Sequence, residues 1–300
     1  MNAFGEGQIP VVLQKVADII QHRNSERAEL ITDFAMRLFR NISPADLSLR
    51  IDSDLYGAVM GLWHSFNSYV PGEKALIKVY NPDVEQHGWQ SAHTIIEIIQ
   101  SDSPFMVDSV RMALSRLGIT SHLLLHLPIS HKRDADNNII ELLKAGTRNA
   151  DNEVDTVFLI EVDRQTTAKA IKALKNELAS VMEEVSLTVR DWLPMRTRME
   201  EIAAELNDIK YSGNPQQLAE AQKFLSWLAK DNFTLMGYRR YNLETVDGDH
   251  IILQDTDSSL GLMRRSINKE GRLVSSLPEV AQTMTFDDTL LLLTKTNTRS

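Results

Sequence analysis

An alternation of short β-branched segments and amphipathic helices between residues 74 and 190 is the feature that most constrains this chain. Segments rich in isoleucine, valine and leucine, bounded by polar turns, are typical of β-strands. Between the second and third of them, apolar residues lie three and four apart from Met106 to Leu117, which predicts a helix that stops at Gly118. The predicted strands are 75–80, 93–100, 119–129, 139–146 and 154–162, the last apolar enough to be central.

This order of strand, strand, helix, strand, strand and helix predicts an α+β fold. Two βαβ halves that share one antiparallel sheet form a ferredoxin-like sandwich with both helices on one face. Segment 75–80 then fills the edge position beside 93–100. The last helix of the sandwich begins near Thr166, and its apolar period continues to Leu206. Pro194 interrupts it, as a kink or as a junction of two helices with Asp191 as the new N-cap.

The apolar seam from Ile171 to Leu206 has two interpretations. It packs on its own sheet, or it pairs with the same helix of another subunit. Pro194 would disturb a straight coiled coil, which favours packing within the chain.

The flanking regions have different patterns. The first 72 residues predict a helical cap of three helices, the second capped by Ser25. Beyond the long helix, Asn214-Pro215 opens another helix. Segments 233–244 and 250–255 read as a hairpin, and 289–295 as a last strand. The predicted domains are 1–72 (helical cap), 73–190 (sandwich), 191–230 (helical connector) and 231–300 (the start of a second α+β module that is truncated here).

Composition excludes several classes of protein. The formal net charge of −9 argues against a general nucleic-acid-binding surface. The absence of cysteine removes disulfides and thiolate ligands. We find no secretory signal and no apolar run near the roughly 20 residues of a membrane helix. We therefore expect a cytoplasmic protein with neither nucleic-acid nor membrane partners.

The chain carries no recognisable catalytic motif. GxGxxG, GxxxxGK[ST], GxSxG and HExxH are all absent. We therefore predict no catalytic, cofactor-binding or metal-binding residue within the 300 residues. His122 and His126 lie four residues apart in a strand, about 13 Å, too far to share an ion. Two basic pairs occur, Arg239-Arg240 and Arg264-Arg265. They favour a solvated face, and the alternative is a site for a phosphate or an acidic partner.

The best candidate binding site is the turn between the second strand and the first sandwich helix. A strand that runs into a helix N-terminus exposes backbone N–H groups, which can hold a small carboxylate such as that of an amino acid. Alternatively, Ser103 only caps the helix and Asp102 only complements its dipole. The candidate effector-binding residues are Ser101, Asp102, Ser103, Phe105 and Met106.

Several segments resemble, in order, the large bacterial NAD-specific glutamate dehydrogenases. SDSPFMVDSVRMALSRLGI (101–119) resembles the strand–helix segment of their N-terminal regulatory ACT-like domain. VRDWLPMRTRM (189–199) resembles their Asp-Trp…Met stretch. AEAQKFLSWLAKDNFTLMGYRRYNL (219–243) is similar to their Phe-Leu-x-Trp-Leu…Asn-Phe-x-x-x-Gly-Tyr pattern. SSLGLMRRS (258–266) and LLLLTKTNTRS (290–300) also fit.

The resemblance implies that this chain is the front of a longer enzyme, which oxidises L-glutamate to 2-oxoglutarate and ammonia with NAD. The NAD- and glutamate-binding domains would lie beyond residue 300, so this segment would be inactive alone and would serve regulation and assembly. Its implied partners are a second copy, the C-terminal catalytic region and an amino-acid effector. Ligand-binding ACT domains usually have glycine where Phe105 stands, so we expect its side chain to fill the site.

Two other functions remain open. One is a free-standing amino-acid sensor, indicated by the turn at Ser101–Met106. The other is a structural oligomerisation module, indicated by the apolar seam. The polar end TNTRS, with no closing element, favours a polypeptide that continues past Ser300.

Overall fold

A computed structural model divides the chain into two compact units, Met1–Val185 and Ser186–Ser300. Residues 9–144, 146–147, 152–246, 248–268, 270–286 and 290–294 are described. The finer division into four domains stays a prediction.

One five-stranded antiparallel sheet forms the centre of the first unit. Its strands are β1 (Leu76–Tyr80), β2 (Thr94–Ser101), β3 (Ser121–Arg133), β4 (Ile139–Leu142) and β5 (Glu153–Val162). They lie in the order β1-β2-β5-β3-β4, so β5 is central and β1 occupies the edge beside β2, as predicted. Ile98 of β2 lies opposite Phe158 of β5, and Leu125 of β3 lies opposite Leu159. Strand β3 is longer than predicted, because it includes His131–Arg133.

Helices cover both faces of this sheet. The predicted helical cap is confirmed, and its apolar residues, among them Phe34, Leu62 and Phe66, share one core with Ile95, Leu159 and other residues of one sheet face. Helices α3 (Pro44–Ser48) and α5 (Val84–His87) were not predicted. Ser25 does not cap α2 (Ala28–Phe39), because a 3₁₀ turn at Ser25–Arg27 precedes that helix. The helices of the first unit are α1 (Val11–Arg23), α2 (Ala28–Phe39), α3 (Pro44–Ser48), α4 (Asp52–Ser68), α5 (Val84–His87), α6 (Met106–Arg116) and α7 (Ala168–Arg190).

The opposite sheet face is also buried, and α6 and α7 supply its cover. Ile96 and Phe158 are fully buried but lie outside the core of the helical cap. Val110 of α6 and Leu174 and Leu178 of α7 are likewise buried outside that core. Both sandwich helices therefore lie on one face, as predicted. The apolar residues of α7 are buried within the chain, which favours the first interpretation of the seam.

The second unit combines helices with a small antiparallel sheet. Its elements in the described ranges are α8 (Trp192–Glu205), α9 (Pro215–Trp227), β6 (Gly237–Val246), β7 (Asp249–Gly261), β8 (Arg272–Leu273) and α10 (Glu279–Thr285). The strands lie in the order β6-β7-β8, and β6 with β7 forms the predicted hairpin. Asn214 caps α9 by accepting a hydrogen bond from the amide of Gln216.

Two expectations for this unit need correction. Asp191 stands at the N-cap of α8, so two helices meet there, but its carboxylate does not cap. It accepts from the Gly261 amide (2.7 Å) and the Arg264 guanidinium instead. The described part of the predicted last strand, 290–294, is not a strand, and residues 289 and 295 lie outside the described ranges. No helix in the described ranges is both long and apolar enough to cross a membrane.

Candidate functional site

The candidate turn lies between the end of β2 at Ser101 and the start of α6 at Met106. Phe105, rather than Ser103, occupies the N-cap position, and its carbonyl accepts from the amide of Ser109 (3.0 Å). The predicted cap was therefore wrong by two residues. The Ser103 hydroxyl oxygen is buried, and none of the described residues is its hydrogen-bond partner.

Phe105 adopts a backbone conformation that usually belongs to glycine. Its φ is 70°, in the left-handed region that costs most residues roughly 1–2 kcal/mol. Its side chain is 53% exposed. The expectation that its side chain fills the binding site stays a prediction. The backbone keeps the conformation that a glycine would supply, and the ring lies at the surface.

The other predicted residues have structural partners. The Asp102 amide donates to the carbonyl of Val154 (2.8 Å), and its carboxylate accepts from the Thr156 hydroxyl (2.6 Å). Both hydrogen bonds connect the turn to β5. Met106 is 1% exposed and belongs to the hydrophobic core. Of the five candidates, Ser103 and the backbone around Phe105 are therefore the best suited to meet a ligand.

Ser101 connects the turn to the helical cap. Its amide donates to the Tyr69 hydroxyl (3.2 Å), and its own hydroxyl accepts from the amide of Gly72 (3.2 Å). Tyr69 is the residue that follows α4, and Gly72 is in the loop beyond it. These hydrogen bonds therefore connect the turn directly to the end of α4 and the loop that follows it.

Next to this connection lies a buried polar cluster that sequence reasoning missed. It consists of Asp155, His131 and Arg133. Asp155 and His131 are completely buried. Asp155 Oδ2 lies 3.3 Å from His131 Nε2 and 3.6 Å from an Arg133 nitrogen, longer than ordinary charge-assisted hydrogen bonds. The available signal was the carboxylate of Asp155 near the start of the otherwise apolar run VDTVFLI (154–160).

The hydrogen bonds of His131 indicate where its proton lies. Its Nε2 accepts from Arg133 Nε (3.1 Å), so its Nδ1 donates to the carbonyl of Ile129 (3.2 Å). Burial lowers the pKa of His131 to about 4. Burial also raises the pKa of Asp155 to about 6. When Asp155 is protonated and His131 is neutral, the repulsion between the Asp155 oxygen and the Nε2 lone pair is removed. This agrees with the raised pKa of Asp155 and the lowered pKa of His131.

Arg133 extends this cluster to the helical cap. Its guanidinium donates to the carbonyls of Phe66 (3.0 Å), Asn67 (3.0 Å) and Asn137 (2.8 Å). Two of these carbonyls are in the last turn of α4, where the helix dipole favours a cation. The cluster thus joins α4, β3 and β5 close to the candidate turn.

The first unit also contains a large cavity and a histidine–carboxylate pair away from the turn. A cavity of about 860 Å³ is lined by Leu49, Trp89 and the Arg50–Glu161 ion pair, a volume within the range of small-molecule sites. His122 pairs with Asp163 (2.8 Å). The described residues contain no group of three or more His, Cys, Asp or Glu placed to hold a metal ion.

The basic pairs of the second unit are engaged locally. Arg239 donates to the Ser259 hydroxyl and to the carbonyls of Ser266 and Met263. Arg240 pairs with Asp255 (3.0 Å). Arg240, Arg264 and Arg265 are exposed, which agrees with the solvated face that the sequence indicated. The phosphate site stays a prediction.

Comparison with known families agrees with this architecture. Residues 34–178 match the family model described as "Glutamate dehydrogenase, ACT1 domain". The matched range covers the sheet, the helices α3 to α6, the end of α2 and the first half of α7. The first unit therefore contains an ACT1 domain of the glutamate dehydrogenase type.

Curated relatives identify the wider family. The NAD-specific glutamate dehydrogenase of Pseudomonas aeruginosa is 34% identical over 82% of this chain, and that of Halomonas elongata is 32% identical over 84%. The one from Mycobacterium tuberculosis is 20% identical over 79%. The matches span only 15%, 16% and 13% of these relatives, respectively. Over about four fifths of its length the chain is therefore similar to one part of the NAD-specific glutamate dehydrogenases, the family that its motifs resemble.

Proposed function

We propose that these 300 residues are the N-terminal regulatory and assembly segment of an NAD-dependent glutamate dehydrogenase. In the full-length enzyme, L-glutamate, NAD and water would give 2-oxoglutarate, ammonia and NADH. The observation that carries the proposal is the ACT1 match over 34–178, together with relatives several times longer than the matched region. The catalytic domains, and the site for NAD, would lie outside this segment.

Glutamate oxidation by the two forms of the protein tests this proposal. We expect the full-length protein to reduce NAD when supplied with L-glutamate, with little activity toward NADP. We expect the 300-residue chain to be inactive in the same assay and to bind no NAD by calorimetry. The proposal would be contradicted if the 300-residue chain oxidised glutamate, or if the full-length protein did not.

The regulatory part of the proposal concerns an amino-acid effector at the turn. Two observations support it: the left-handed backbone at Phe105 and the buried Ser103 hydroxyl, which has no partner among the described residues. An amino acid could place its carboxylate at the start of α6 and its polar atoms against Ser103. The same geometry supports the alternative of a stand-alone amino-acid sensor.

Calorimetry of the 300-residue chain with each common amino acid at millimolar concentration tests the effector. We expect one of them to bind, and Ser103→Ala to weaken that binding about tenfold, the effect of one hydrogen bond. Ser53→Ala, at an exposed position in α4, is the matched control. Binding that is unaffected by Ser103→Ala would place the effector elsewhere.

The partners we propose are a second copy of the chain and the catalytic region of the same polypeptide, in the cytoplasm, with no nucleic acid and no membrane. The exposed apolar residues Met112 and Leu117, on α6 and at its end, support self-association. Sedimentation over a range of concentrations is the test, with Met112→Glu as the disrupting variant. A strictly monomeric full-length protein would contradict the assembly role.

A further inference from the structure

Strand β6 combines low burial with an unpaired edge. Every residue from Arg240 to Val246 is exposed, whereas β2 of the first unit is buried from Thr94 to Gln100. One edge of β6 pairs with β7, and no strand of the described ranges pairs with the other. The open edge of this ten-residue strand is about 33 Å long, and the N–H and C=O groups of alternate residues point outward along it.

The usual protection of an edge strand is weak here. Natural edges are commonly guarded by outward charges or proline. The two arginines of β6 are instead engaged by Ser259, Asp255 and nearby carbonyls, which leaves Glu244 as the strand's other charge. No proline lies between Gly237 and Val246.

The exposed side chains of this region are apolar to an unusual degree. Tyr241 and Leu243 are 50% and 45% exposed, on the same face of the strand. Phe233 and Met236, just before β6, are 61% and 53% exposed. Tyr241 and Leu243 therefore give one face of β6 apolar surface that a partner strand and its side chains would cover.

We propose that β6 is an interior strand in the full-length protein, paired at its open edge with a strand from the polypeptide that follows Ser300. Relatives of this family contain several times more polypeptide than the matched region, so such a segment has a physical source. A strand tethered to the same chain also has a high effective concentration at β6. This proposal rests on the proposed function only in requiring a longer protein.

Cysteine labelling tests whether β6 is covered. The 300 residues contain no cysteine, so an introduced one is unique within them. Leu243→Cys reports on β6, and Ile140→Cys, at a 55% exposed position of β4, is the matched control. In the 300-residue chain both should react readily with a maleimide. In the full-length protein we expect Leu243→Cys to react at least about tenfold more slowly, with Ile140→Cys unchanged. Equal rates for Leu243→Cys in both proteins would overturn the proposal.

Hydrogen exchange then tests whether the cover is a strand. Amides of β6 that point away from β7 should exchange fast in the short chain and slowly in the full-length protein. Slower labelling of the Leu243→Cys variant without slower amide exchange would overturn strand pairing. Concentration-dependent protection in the short chain would show that a second copy occupies the edge, which also contradicts the proposal. Glutamate oxidation, assayed on the same full-length preparation, reports the proposed function independently of either result.

Discussion

The two units differ most in how far their large apolar residues are buried. The first unit buries large side chains on both faces of its sheet, with Phe34, Phe39 and Phe66 in the core of the helical cap and Phe158 on the opposite face. In the described part of the second unit, the buried apolar residues are Met195, Ala203, Ala221, Leu225, Ala229 and Val274. Half of them are alanines. Trp227, Phe233, Met236 and other large apolar residues of that unit are exposed instead.

This difference shows that a segment can form regular secondary structure without building a large hydrophobic core. Both units form helices and an antiparallel sheet, but within the described ranges only the first covers both faces of its sheet. The free energy of burial scales with the apolar area removed from water, about 25 cal/mol per Å². We therefore expect the first unit to be intrinsically stable and the second to gain stability from a partner surface.

The largest expected effect tests this contrast with two phenylalanines. Phe66→Ala, at a completely buried position, should lower the free energy of unfolding by about 3–5 kcal/mol, because it leaves a cavity beside Phe34 and Trp63. Phe233→Ala, at a 61% exposed position, should change it by about 0.5 kcal/mol or less in the 300-residue chain. Urea denaturation measures both. Similar losses would mean that the second unit has a core of its own.

A second comparison concerns arginines bound to buried carboxylates. Arg133→Met should cost about 3 kcal/mol, because it removes the donors to α4 and the cation near the fully buried Asp155. Arg264→Met should cost less, about 1–2 kcal/mol, because Asp191 keeps the hydrogen bond from the Gly261 amide. Thermal unfolding of the two variants at pH 7 measures the difference. An equal or reversed order would contradict the greater burial of the Arg133 cluster.

The two buried aspartates should respond to pH in opposite directions. Burial raises the pKa of Asp155 above its unfolded value, so its contribution to stability is present below pH 4 and is lost as pH rises through about 6. Asp155→Asn should therefore gain stability relative to the wild type between pH 5 and pH 7.5.

Asp191 is the counterpart in the second unit. Burial opposes ionisation of Asp191, but hydrogen bonds from Arg264 and the Gly261 amide outweigh it and lower the pKa of the carboxyl. Its contribution is present above the unfolded pKa and is lost as pH falls, so Asp191→Asn should be destabilising at pH 7 and less so near pH 3. Urea denaturation across pH tests both, and the same sign for the two variants would refute the distinction.

The smallest expected effect on stability comes from replacing each of two exposed phenylalanines by glycine. Phe105→Gly should stabilise the first unit by about 0.5–1 kcal/mol, because glycine adopts the left-handed conformation without strain. Phe233, with φ of −148°, is in an extended conformation, so Phe233→Gly should destabilise by a similar amount. Thermal unfolding measures both. Destabilisation by Phe105→Gly would show that its exposed ring has a stabilising contact.

Much of the fold was predictable because local pattern and tertiary structure agree. The order of strands and helices between 74 and 162 predicted the sheet, with β5 at the centre and β1 at the edge, and the family motifs predicted the relatives. Two of the errors lie at helix starts, and another is the predicted last strand, whose described residues 290–294 are not a strand. Ser25 and Ser103 have the right chemistry for N-caps, but the path of the chain into α2 and α6 begins each helix a few residues later.

The candidate site was less predictable. Ser101, Asp102 and Ser103 were identified from their position before a helix, but the left-handed backbone at Phe105 was not, since nothing in a phenylalanine signals it. The cluster of Asp155, His131 and Arg133 was missed because its members are distributed over two strands that only the sheet register brings together.

By itself, the sequence determined the class of fold, the position of the turn and the family, because these depend on periodicity and on local motifs. Only the tertiary structure decided which polar groups are buried together, where the ring of Phe105 lies and that β6 has an open edge in the part of the chain that is described. Burial and strand pairing join residues far apart in the chain, and the energetic cost of a buried charge or an unpaired backbone group depends on those distant neighbours.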